Sequence, residues 1–92
     1  MLDKMKQMME LKHRADQLKR ELDAITVDVS DVPGIRISIS GSQEFHSVEI
    51  APDLLGVDKK PDLERQLLRS LNAAVKKAQQ TAAQRMAETM RM

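Results

Sequence analysis

The sequence predicts an α+β fold with the element order α-β-β-β-α. Apolar residues recur at helical spacing near both ends of the chain, and they alternate with polar residues in between. Every Pro and Gly falls within residues 33–61, where turns are expected. The 92 residues are expected to make one domain. We predict a three-stranded antiparallel sheet between a shorter and a longer helix, with elements at about 2–24, 25–30, 35–40, 44–51 and 61–90.

The first helix is predicted from a heptad pattern. Its apolar residues follow one another at spacings of three and four, and no Gly or Pro interrupts them. We call this line the seam: Met8, Leu11, Ala15, Leu18, Leu22 and Ile25. The final helix, from about Pro61 to Met90, would be about 45 Å long, which is longer than one small sheet can cover. Part of it must project or pair with another helix.

The strands are predicted from alternation. Ile35, Ile37 and Ile39 share one face of their strand. The Gly41-Ser42 pair suits a tight hairpin because Gly tolerates a positive φ. Strict alternation in the third strand places His46, Val48 and Ile50 on one face and Phe45 on the other. The residues expected in the core or in a dimer interface are Val27, Val29, Ile35, Ile37, Ile39, Val48 and Ile50.

Composition narrows the class of protein. One Phe and no Trp or Tyr leave few large core side chains, which favours a homodimer. The absence of Cys excludes a disulfide scaffold, a Cys-based zinc site and a Cys nucleophile. No apolar run is long enough for a membrane helix, and no signal peptide is expected. Lone histidines (His13, His46) and carboxylates without a predicted pocket (Glu44, Glu49) give no sign of a metal, a cofactor, a small-molecule substrate or catalytic residues.

The distribution of charge is more informative than the net charge of +1. Residues 25–57 carry one base and five acids, while residues 58–92 carry eight bases and four acids. From Arg65 onward the only acid is Glu88. An acidic middle therefore lies between neutral-to-basic helices, which could present cations to a large anionic partner.

Several stretches together resemble a known family. The chain opens MLDKMKQMMELK, and later carries Ser40-Gly41-Ser42 and SVEI followed by PDLL. In order and spacing these stretches are similar to the YbaB/EbfC family of bacterial nucleoid-associated proteins. The resemblance implies a tweezer-like homodimer in which the sheets associate and the helices project. It also implies a protein of the cytoplasm and nucleoid that binds double-stranded DNA with low sequence specificity. Such a protein would take part in chromosome organisation or in regulation, and it would have no enzyme activity.

Binding without sequence readout needs cations spaced along a surface, because the partner is a regular line of phosphates. In the first helix Lys6, His13 and Arg20 fall on one line, with the acids expected on a different strip. In the final helix Arg65, Arg69 and Lys76 lie within about 40° of one another. The DNA-binding candidates are Lys4, Lys6, Lys12, Arg14, Lys19, Arg20, Arg65, Arg69, Lys76, Lys77 and Arg91.

Three alternatives remain at this point. The charges of the first helix are spaced to form ion pairs such as Glu10–Arg14 and Asp16–Arg20, which would make a salt-bridged solvent face. The Met residues near the start of the chain read best as ordinary packing at a helix end or dimer seam, and less well as an adaptable binding surface. The chain could also be a prefoldin-like or adaptor-type protein-interaction module that does not bind DNA.

Overall fold

The computed structural model describes residues 2–90 and confirms the order α-β-β-β-α. The strands form an antiparallel sheet in the order β1-β2-β3, and two short 3-10 turns connect β3 to the last helix. The elements are α1 (Leu2–Ala24), β1 (Thr26–Val29), β2 (Ile35–Ser40), β3 (Phe45–Ile50) and α2 (Lys60–Met90).

The core lies where α2 crosses β1 and β2. Small residues on the inner side of α2, Ala74 and Ala78, are completely buried and let the helix approach the sheet closely. Ile37 and Ile39 fill the space beneath them and are also 0% exposed. The buried hydroxyl of Ser70 donates a hydrogen bond to the Gln66 carbonyl oxygen at 2.9 Å, so that this polar group is satisfied.

Strand β3 carries apolar side chains that α2 does not cover. Val48 pairs with Ile37, and residues opposite each other on neighbouring strands share a face of the sheet. Val48 nevertheless remains 45% exposed. A register shift opposite Ser38 and Ile39 also pairs Phe45 with Ile39, so the expectation that Phe45 faces the other side is wrong. The core face of the sheet thus continues into an uncovered apolar strip.

Helix α1 is an arm that contributes no buried residue. It is tied to the sheet at its end, where the Gly41 amide donates to the carbonyl oxygens of Leu22 (3.0 Å) and Ile25 (3.1 Å). The Ser42 hydroxyl also donates to the Asp23 carboxylate, and it shares a 2.9 Å hydrogen bond with the Ser40 hydroxyl. The projecting helices make the molecule elongated, at 66 × 22 × 17 Å.

Gly41 serves close approach and not a left-handed turn. The residue with positive φ in this hairpin is Gln43, at 69°. A Cβ atom on Gly41 would lie 3.0 Å from the Leu22 carbonyl oxygen and 3.3 Å from its Cδ2. The expectation that Gly41 adopts a positive φ is therefore wrong, and the close contact with α1 is what requires a glycine at this position.

We expect Gly41→Ala to destabilise the protein by about 1–3 kcal/mol, because the methyl group would push α1 away from the hairpin. The matched variant Gln43→Gly should be neutral or slightly stabilising, because Gly adopts the left-handed conformation without strain. Urea unfolding of both variants measures the difference. Equal stability of the Gly41→Ala variant and the wild type would contradict the close-contact explanation.

Candidate nucleic-acid interface

A basic ridge runs along the outer side of α2. Arg65, Arg69 and Lys76 are all exposed, and Lys76 lies about 160° around the helix from the buried Ala74 and Ala78. The ridge, defined by these three cations, therefore points away from the sheet. From Arg65 to Lys76 it is about 16 Å long.

Some cations of α2 already have a partner within the described chain, and others do not. Arg65 is paired with Asp62, Lys60 lies 3.3 Å from Glu64, and Arg85 lies 3.9 Å from Glu88. Lys77 donates to the Asp28 carbonyl oxygen at 3.1 Å and so ties α2 to β1. Within residues 2–90, the ridge cations Arg69 and Lys76 have no carboxylate within 4.0 Å. They are the two ridge cations most available to a ligand.

A second set of basic residues lies along one side of α1, and we call it the arm face: Lys6, Lys12, His13, Lys19 and Arg20. All five side chains are exposed. In the described part of the chain every ion pair within 4.0 Å is on α2, so the pairs Glu10–Arg14 and Asp16–Arg20 do not form at that distance. The salt-bridged surface considered for α1 is therefore not observed. Asp16, however, lies about 40° from Arg20 and thus within the arm face, not on a separate strip.

The remaining candidates lie elsewhere. Lys4 is exposed on the side of α1 that carries Leu11 and Leu22, away from the arm face. Arg14 lines a crevice between α1 and the last turns of α2, together with Leu18 and Thr89. Arg91 lies outside the described residues. The structure thus distributes the described candidates over the ridge, the arm face, the opposite side of α1, the contact between α2 and β1, and a crevice.

The two faces have the dimensions needed for contact with a polyanion. The arm face spans about 21 Å from Lys6 to Arg20, and duplex DNA of that length carries about 12 phosphates. Exposed Lys and Arg side chains at one-to-two-turn intervals can each reach a phosphate without reading a base. Neither face contains a Phe, Tyr or Trp side chain on which an unpaired base could stack.

Comparison with known proteins agrees with this chemistry. The YbaB/EbfC DNA-binding family matches residues 1–92. The chain belongs to the YbaB/EbfC DNA-binding family. This family is DNA-binding and nucleoid-associated, so the resemblance stated from the sequence is confirmed. No match was found among curated proteins.

A solved structure shares the fold of this chain. The chain is similar to the crystal structure of the uncharacterized protein HP0035 from Helicobacter pylori, with a TM-score of 0.75 and 17% sequence identity. The match covers 92% of this chain and 89% of HP0035. At this identity the similarity shows a shared fold.

Two features of this YbaB/EbfC chain were missed by sequence reasoning. Met5, Met8 and Met9 are between 64% and 71% exposed, so packing against the rest of the described chain is not observed, while packing at a dimer seam stays a prediction. A one-dimensional pattern does not show how much of a side chain the fold leaves exposed. The link from Ser42 to Asp23 joins residues 19 positions apart, and only the return of the hairpin to the end of α1 brings them together.

Two further features were sought in the described part of the chain, a metal-binding cluster and a membrane-spanning helix. Residues 2–90 contain no group of three potential ligands that could hold a metal ion. Neither helix in this range is long and apolar enough to cross a membrane.

Proposed function

We propose that this chain binds duplex DNA through phosphate contacts from the ridge and the arm face, with low sequence specificity. The observation that carries the proposal is the pair Arg69 and Lys76, which are exposed on the outer side of α2 and have no carboxylate partner among residues 2–90. The arm face supplies Lys and Arg side chains that form no ion pair within the described chain, on a helix that projects from the sheet. Family membership supports the choice of DNA as the polyanion.

We further propose that the chain acts as a single-domain homodimer in the bacterial nucleoid, without enzyme activity. The apolar strip on β3 supports the dimer, because Phe45 and Val48 are 43% and 45% exposed on the core face of the sheet. Leu68 on α2 is 61% exposed as well. A second copy that covers this strip would supply the core that a chain with a single aromatic residue lacks.

The experiment is fluorescence anisotropy with a random-sequence DNA duplex between about 50 and 200 mM salt. Replacing Arg69 and Lys76 by Ala removes four cations from a dimer. We expect the slope of log affinity against log salt to become shallower by about 0.9 for each lost phosphate contact, up to about 3.6. Two duplexes of unrelated sequence should differ in affinity by much less than the roughly 10³-fold of a sequence-specific protein.

The matched control is Lys60→Ala with Arg85→Ala. It makes the same change in net charge on the same helix, but its two cations already have carboxylate partners. The control should keep the wild-type slope within about one unit. Equal losses in both double variants would show that overall charge matters and not the ridge. A wild-type slope near zero would rule out the electrostatic mechanism.

A protein-interaction module is the second candidate function, because α1 exposes Leu2, Met8 and Leu11 by 64% or more. Such a module would suppress the aggregation of a denatured protein without any dependence on DNA. Suppression by a variant that lacks the ridge cations, together with no DNA binding by the wild type, would favour this candidate.

A further inference from the structure

The outer turns of α1 carry an apolar patch that is separate from the seam. We call Leu2, Met5 and Met9 the outer patch; their exposed fractions are 77%, 64% and 71%. At 100° per residue they lie within about 60° of one another, whereas Leu11 and Leu18 lie more than about 110° away from all three. The nearest seam residue, Met8, lies about 60° from Met5 and about 100° or more from Met9 and Leu2. The outer patch is therefore centred on a different side of α1 from the seam, and no described element covers it.

The outer patch and the arm face lie on the same side of α1. Arg20 projects in the same direction as Leu2, and Lys12 and His13 lie within about 60° of Met9. Asp16 and Asp23 also fall on this side, but Asp23 accepts a hydrogen bond from Ser42. One side of the arm thus begins with three flexible apolar side chains and continues with cations. Proteins that kink DNA combine these elements, because cations hold the phosphates while Leu or Met side chains enter a base step.

The dimensions determine how such contact can occur. An α-helix with its side chains is about 10–12 Å wide, whereas the minor groove is about 6 Å wide. The body of the arm must therefore stay outside that groove, against the phosphates. Unbranched Met side chains can extend beyond the helix surface and adapt to the narrow, irregular gap of an opened base step.

We propose that the outer patch is a wedge that inserts between adjacent base pairs and kinks the DNA held by the arm face. This inference rests on the proposed DNA binding and specifies how it acts on the duplex. The charge of the adjoining arm face commits the patch to DNA as its occupant. A second copy of the chain and an anionic membrane are the competing occupants, and the test separates them.

The test uses a duplex of about 30 base pairs with a donor and an acceptor at its ends, and a second duplex that contains 2-aminopurine. At saturating wild-type protein and low salt, we expect energy transfer to rise by the amount of a 20–90° bend, and 2-aminopurine fluorescence to increase as the step unstacks. The variant Leu2→Ala, Met5→Ala, Met9→Ala should lose both signals. Its salt slope should stay unchanged, because no cation has been removed.

The matched control is Met8→Ala with Leu11→Ala. These side chains come from the same turns of α1 and are equally exposed, at 71% and 64%, but they lie outside the outer patch. The control should bend DNA as the wild type does. Ala favours a helix at least as strongly as the residues it replaces, so that α1 remains folded in both variants.

Each other outcome overturns the wedge for a distinct reason. Salt-dependent binding by the wild type without bending, or bending retained by the triple variant, removes the wedge and leaves the proposed function intact. Loss of the dimer in the triple variant by sedimentation would make a second copy the occupant of the patch. If the wild type binds phosphatidylserine vesicles and the triple variant does not, while both bend DNA equally, an anionic membrane is the occupant of the outer patch. No salt-dependent DNA binding by the wild type overturns the proposed function and the wedge together.

Discussion

Replacing Ile37 by alanine is expected to lower the free energy of unfolding by about 3 kcal/mol, within the usual range of 2–5 for buried Ile or Leu. Ile37 is 0% exposed, and its neighbours are the small residues of α2 and the paired strands on either side. Because Ala74 and Ala78 already place the helix close to the sheet, little movement can fill the resulting cavity. Urea unfolding at fixed protein concentration measures the change.

The control for this prediction is a truncation to alanine at an exposed position. Val57 is 93% exposed, and Val57→Ala should change stability by less than about 0.5 kcal/mol. A loss below about 1 kcal/mol for Ile37→Ala would mean that the interior between α2 and β2 can collapse around the gap. The close packing of α2 against the isoleucine strand would then not be rigid.

The second large effect concerns β3. Val48→Asp places a charge on the apolar strip, where a second copy would have to bury it without a partner. We expect the variant to sediment as a folded monomer while the wild type sediments as a dimer. DNA affinity should fall by about 10²–10⁴, because the two protomers would no longer bind one duplex together.

Ser47→Asp is the control for this effect. Ser47 precedes Val48 on the same strand and pairs with Ser38 on the opposite face of the sheet. The Ser47→Asp substitution introduces the same charge as Val48→Asp, so any general repulsion from DNA affects both variants equally. If the Ser47→Asp variant dissociates as well, or if Val48→Asp stays dimeric, the apolar strip of β3 is not the dimer interface.

The order of elements could be predicted because each element carries a strong local signal. Alternation of Ile35, Ile37 and Ile39 with polar residues identifies a strand that is buried on one side, and the uninterrupted spacing of α1 identifies a helix. The position of the ridge cations on one side of α2 could also be predicted, because the period of a helix determines which residues share a face. The family resemblance added the class of ligand.

What could not be predicted depends on contacts between distant residues. Nothing local shows that a register shift places Phe45 opposite Ile39, because strict alternation is the default for a strand. The spacing of Glu10 and Arg14 permits an ion pair, but two long exposed side chains gain little by forming one. Lys77 looked as available as Lys76 until the fold placed it beside the Asp28 carbonyl oxygen.

Folding and ligand binding depend on different parts of the sequence, because α1 contributes no buried residue. Nearly all of the described interior comes from the sheet and α2. Helix α1 is hydrogen-bonded to the hairpin at its last turn and lines a crevice with the end of α2. Substitutions along most of α1 can therefore change which ligand the molecule binds without preventing it from folding. In evolutionary terms, the arm is free to diversify at little cost in stability, while the isoleucine strand is tightly constrained.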